Sequence, residues 1–164
     1  MDVNAFYGVL AGLSFTLLGL WWVACQSRMA WLVDRVGRGM AYVVSLHFAL
    51  PGAMSLLSLV APDVPALWRI TFATAGIAGL IGSGLMAATM RRRSSDAGLV
   101  VLLQWIAMPL YAVVTIVAIT PTVVGDLGVG LSPLQVEGIA LVLLLLLGTQ
   151  SAWLVTFAAA SDTD

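Results

Sequence analysis

The sequence predicts an all-α integral membrane protein: a single transmembrane domain over residues 1–164 built as a bundle of about five membrane-spanning helices. Three observations predict it. The chain of 164 residues is 61% hydrophobic and 9% charged, with a mean hydropathy of +1.05, whereas a soluble domain is about 45–50% apolar and about 25% charged. Its apolar residues come in runs of about 20, and a helix rising ~1.5 Å per residue needs about that many to cross ~30 Å of hydrocarbon. Its arginines gather in alternate loops.

The runs place helices over residues 5–26, 40–60, 67–90, 98–120 and 134–157. Each must be helical, because lipid offers the backbone no hydrogen-bond partners. The first run follows Met1-Asp2-Val3-Asn4, which has no positive segment, and is too long for a signal-peptide core, so it is expected to stay in the mature protein. Asp63 and Ser95 can cap the third and fourth helices. Ser132-Pro133-Leu134-Gln135 reads as a capping box with proline at the first helical position. Met29, Leu32, Val33 and Val36 recur at helical spacing, which predicts a short amphipathic segment over 28–38 at the membrane surface, anchored by Trp31. Five other tryptophans (Trp21, Trp22, Trp68, Trp105 and Trp153) fit an interfacial belt. The loop from 120 to 132 is apolar and glycine-bearing, suited to covering one end of the bundle or contacting another subunit.

Arg28, Arg35 and Arg38 follow the first helix and Arg91, Arg92 and Arg93 the third, while the opposite loops hold Asp63 and Asp126. The positive-inside rule makes the arginine loops cytoplasmic, with the N-terminus outside and the C-terminus in the cytoplasm.

Polar side chains inside a membrane are costly and so carry functional hypotheses. Depth counting puts His47 and Gln150 ~4–5 Å and Gln104 ~7–8 Å to the cytoplasmic side of the midplane, with Ser45 nearby. Three helices thus contribute to one polar layer. One reading is a polar constriction in which His47, the only histidine, gates with pH or relays protons. The other is a clasp of interhelical hydrogen bonds. Gln104, Met108, Tyr111 and Thr115 form one stripe of the fourth helix, suited to a wet pathway or a polar helix contact. Pro51-Gly52 and Pro109 are candidate hinges. Arg69 and Glu137, each ~15 Å outside the centre, are expected to pair as an outer lock or a selectivity ring.

The third helix is small on several faces, with Gly76, Gly79 and Gly82, and the first carries Gly8 and Gly12 as GxxxG, so close helix packing and a homo-oligomer are expected. The fifth helix, with its run from Leu141 to Leu147, reads as lipid-facing.

Composition argues against other classes. A net charge of −1 gives no basic surface for nucleic acid, and one cysteine, Cys25, with one histidine leaves no metal or cofactor ligand set. No nucleophile–base–acid constellation is evident, so an enzyme is not expected. The pattern favours a small oligomeric channel or passive transporter for ions or small solutes in a bacterial inner membrane. The alternative is a non-transporting subunit that packs against a partner membrane protein. Few buried charges suit a channel better than an ion-coupled pump. Basic loops beside the bilayer leave a lipid-binding role as a third reading.

The arginine asymmetry is directly testable: a reporter fused to the C-terminus should read as cytoplasmic, and an extracellular readout would reverse the topology.

Overall fold

The computed structural model describes residues 2–27, 32–33, 35–60, 64–91, 98–128 and 130–161. The structured elements are all helices: α1 (Val3–Gln26), α2 (Arg35–Val60), α3 (Pro65–Arg91), α4 (Gly98–Ile119), α5 (Thr122–Asp126) and α6 (Pro133–Ser161). All but α5 are long and apolar enough to cross a membrane. The protein is therefore a five-span, all-α membrane protein, and the expected spans are recovered to within a few residues at most ends.

The helix ends follow local chemistry. Asp2 accepts from the Asn4 amide at 3.0 Å and caps α1. Pro65 and Pro133 open α3 and α6, where a missing amide proton costs nothing. The capping box at α6 is closed in both directions: Gln135 Oε1 accepts from the Ser132 amide at 2.8 Å, and Ser132 Oγ accepts from the Gln135 amide at 3.3 Å. The short α5 lies within the expected loop, where Pro121 sets a helical φ of −63° ahead of its first turn. It seats Val124 in the core and leaves Leu127 exposed. Gly128 and Gly130 turn the chain back at φ values of 62° and 67°, a conformation L-residues rarely adopt. Arg92, Arg93, the proposed caps Asp63 and Ser95, and, from the amphipathic segment over 28–38, Arg28, Met29, Ala30, Trp31 and Asp34 lie outside the described residues; Arg35 onward is the first turn of α2.

In packing order α2, α3, α4 and α6 form a closed four-helix ring, and α1 lies chiefly against α2 with a lighter edge on α6. The burial of the spans reflects this: 56% of the α2 span is buried but only 28% of the α1 span. The outward faces carry Val9, Leu13, Ile70, Ile77, Ile81 and Leu102, as a lipid-solvated surface requires.

Two readings are corrected here. α6 is not simply lipid-facing: Leu141, Leu144 and Leu145 are core residues, while Val142, Leu143 and Leu146 point out. Its pattern is apolar all round because one side meets protein and the other lipid. Nor do all the tryptophans form a belt. Trp21 is buried and donates to the Ala41 carbonyl at 3.1 Å, and Trp68 packs edge-on against Phe72; Trp22, Trp105 and Trp153 remain outside.

Glycines set the helix register. A Cβ at Gly79 would collide with the Tyr111 ring, and one at Gly76 with Thr115 Oγ1, so these glycines of α3 admit the α4 stripe. Gly82 similarly faces Leu46 of α2 at 3.2 Å, while Gly12 has nothing within 4 Å and Gly8 only Leu59 at 4.0 Å. The α3 glycines thus pack the bundle itself, and the GxxxG face of α1 looks outward. Gly79→Leu should destabilise the fold by about 1–3 kcal/mol through overpacking, and Gly12→Leu by roughly 0.5 kcal/mol or less. Detergent-titrated unfolding checks the contrast; equal losses would contradict the assignment.

Candidate functional site

Within an apolar core, a few buried polar residues need partners that helix geometry must supply. Several buried or half-buried hydroxyls solve this locally by bonding the carbonyl four residues back. Ser14 bonds Leu10, Ser45 bonds Ala41, and Thr115 bonds Tyr111, each at 2.7–2.9 Å. Ser45 is therefore satisfied within α2, and Thr115 within α4.

A second group is not satisfied. His47 Nε2, Gln104 Oε1, Tyr111 Oη, both oxygens of Glu137, and the hydroxyls of Ser55, Ser83 and Ser151 are buried without a hydrogen-bond partner among the described residues. Counted at ~1.5 Å per residue from the centres of the five apolar spans, these groups fall at three depths. Ser55 and Glu137 lie toward the α5 end, His47 and Tyr111 at the middle, and Ser83, Gln104 and Ser151 toward the end bearing Arg35 and Arg38. They come from α2, α3, α4 and α6, the four helices of the ring.

The middle layer has the clearest geometry. His47 Nδ1 lies 2.8 Å from the Val43 carbonyl. A carbonyl only accepts, so Nδ1 carries a proton, and in the neutral ring Nε2 is the free lone pair. The imidazole meets the Tyr111 ring edge-on, centroids 5.8 Å apart. A Cβ at Gly148 would lie 2.8 Å from His47 Cβ and 2.9 Å from the Phe48 ring, so α6 closes on this layer through a glycine. Tyr111 is in turn held by Gly79.

The layer toward the α5 end centres on Glu137, in the first turns of α6 and fully buried. Tyr7 is its electrostatic neighbour. The Tyr7 hydroxyl donates to the Leu134 carbonyl at 2.7 Å, and its ring stands edge-on to Phe72. The expected Arg69–Glu137 pair is not formed. Arg69 instead donates to the Ala118 and Ile119 carbonyls, at 2.9 and 2.6 Å, and caps the C-terminal end of α4. That end carries unsatisfied carbonyls and partial negative charge, which suits a guanidinium. The two residues share a depth but not a face.

The three-residue layer is likewise revised. His47 and Gln104 are buried, but Gln150 is exposed on the outside of α6. Tyr111 and Ser151 are the interior groups contributed by α4 and α6 at these levels. Of the α4 stripe, Met108, Tyr111 and Thr115 meet Gly84, Gly79 and Gly76 of α3, and Gln104 is buried. Pro51 and Pro109 sit within continuous helices. Gly52 is a packing residue, because its added Cβ would lie 3.0 Å from Ser14 Cβ and from the Phe15 ring. Sequence reasoning missed Tyr7, Ser55, Ser83 and Ser151, and also Gly148. Only Gly148 had a visible signal, as the residue that ends the leucine run.

No family model matches the chain, and no curated relative or solved structure is similar to it.

A buried carboxyl group with no partner among the described residues should destabilise the fold. Glu137→Leu, which removes both oxygens at similar volume, should therefore stabilise the bundle, on the order of 1–3 kcal/mol, the size of one unsatisfied buried group. Thermal unfolding in detergent measures it; a clear loss of stability would show that the carboxylate is well paired.

Proposed function

We propose that the protein is a small passive transporter or channel of the bacterial inner membrane whose permeant species is a proton or another small ion or solute. The observation that carries this reading is the set of unpartnered buried polar groups at three depths of one helix ring. Burying a polar group without a hydrogen bond costs on the order of 1–3 kcal/mol. A bundle that only needed to pack would place aliphatic residues there. Groups that exchange hydrogen bonds with water or a permeant explain why Ser, Tyr, His, Gln and Glu stand at these positions instead.

The chemistry runs in order of depth. Glu137 is the group nearest the outer side, on the arginine-based orientation. His47 has its lone pair at the middle, beside the Tyr111 ring, and can take up and release a proton. Gln104, Ser83 and Ser151 follow on the cytoplasmic side. The contacts at Gly79 and Gly148 leave little room between helices, which favours protons or water-sized species over hydrated ions. The α3 glycines are occupied within the chain, so self-association would use the outward Gly8 and Gly12 face of α1.

That same tight packing favours a second reading, a non-transporting subunit that binds a partner membrane protein. Proteoliposomes carrying a pH-sensitive dye separate the two. The protein should raise proton permeability above that of empty vesicles. Glu137→Gln and His47→Leu should each lower the flux about tenfold or more, a barrier change of ~1.4 kcal/mol or greater. Vesicles no leakier than protein-free controls at any pH would overturn the transport reading and favour the subunit.

A further inference from the structure

The cytoplasmic half of the bundle has a lateral cleft that plays no part in the polar interior. α1 leans on α2 more than on α6. Toward their C-terminal ends α1 and α6 leave a cleft of about 260 Å³ between them. Leu20 and Ala24 of α1 form one wall, Ala152 and Trp153 of α6 the other, and Phe48 of α2 lies between them. The lining is almost entirely carbon, which suits an alkyl chain and nothing charged.

Two arginines follow along α2 beyond the cytoplasmic end of the cleft. Trp21, which also lines it, is tied by its indole nitrogen to the Ala41 carbonyl. Arg38 lies three residues before Ala41, one turn closer to the cytoplasm and roughly 60° round α2, and Arg35 lies one turn further and about 60° further round, within reach of the cleft's end only through its long side chain. Both arginines are exposed. One guanidinium nitrogen of Arg38 donates to the Leu32 and Val33 carbonyls at 3.3 and 3.1 Å, and its other donors have no partner among the described residues.

An apolar slot with exposed guanidinium groups beyond its cytoplasmic end matches an amphiphile with an anionic head. We infer that this cleft binds one acyl chain of an anionic phospholipid from the cytoplasmic leaflet, its phosphate held by Arg35 and Arg38. Guanidinium forks bind phosphate oxygens in pairs, and basic side chains at the inner surface attract anionic lipid. The chain buries hydrocarbon against Phe48 and Trp153 while the head remains at the interface.

Native mass spectrometry of the full-length protein in detergent, given equal phosphatidylglycerol and phosphatidylcholine with identical tails, tests this. The protein should retain phosphatidylglycerol about tenfold over phosphatidylcholine, a preference of ~1.4 kcal/mol. Arg35→Gln with Arg38→Gln should bring the ratio close to one. Ala152→Phe, which fills the cleft without touching the charges, should lower retention of both lipids several-fold. Helicity and elution volume matching the parent protein qualify each variant, and the parent's own lipid ratio is decisive without them. Equal retention of the two lipids by the parent would overturn the proposal. So would undiminished retention in Ala152→Phe, or a dimer forming through the cleft in place of lipid adducts.

Discussion

Hydrocarbon supplies no hydrogen bonds, so every polar atom that enters the membrane must find its partner in the protein or in a wet interior. That constraint organises this fold. It makes each span a helix, sends the hydroxyls of Ser14, Ser45 and Thr115 back onto their own helices, and turns Arg69 onto the open carbonyls at the end of α4. It also singles out the residues that do not comply. Glu137, His47, Tyr111 and Gln104 sit inside the ring with polar atoms that have no partner among the described residues, although leucine or phenylalanine would pack there at lower cost.

Glycine determines how those groups are brought together. Water-driven burial cannot hold helices together in lipid, so close backbone approach and van der Waals contact must do so. Gly79 and Gly76 admit Tyr111 and Thr115, and Gly148 admits His47 and Phe48. The same contacts that stabilise the ring therefore place an imidazole edge against a phenol at its middle. Structure and candidate chemistry share residues, and a substitution at Gly148 affects both.

The sequence was most informative about depth and least informative about rotation. Span positions, the Ser132–Gln135 capping box and the unusual status of His47 were legible because they depend on residue order alone. The azimuth of each helix was not. α6 is apolar around its whole circumference, so nothing in the Leu141–Leu147 run indicated that Gln150 faces outward while Ser151 faces in. Arg69 and Glu137 matched in depth, but the competing carbonyls of Ala118 and Ile119 belong to a helix whose proximity to Arg69 is tertiary information. Ser55, Ser83 and Ser151 were hidden among many similar hydroxyls, most of which bond within their own helix.

The central claim is that the polar interior of this ring is in contact with water. Water-edited solid-state NMR of the protein in bilayers, with ¹⁵N-labelled histidine, tests it most directly, because His47 is the chain's only histidine. The account predicts a neutral imidazole protonated on Nδ1 and rapid transfer of water magnetisation to the ring. An imidazole that receives no water magnetisation in bilayers would contradict it and leave a dry, purely structural bundle.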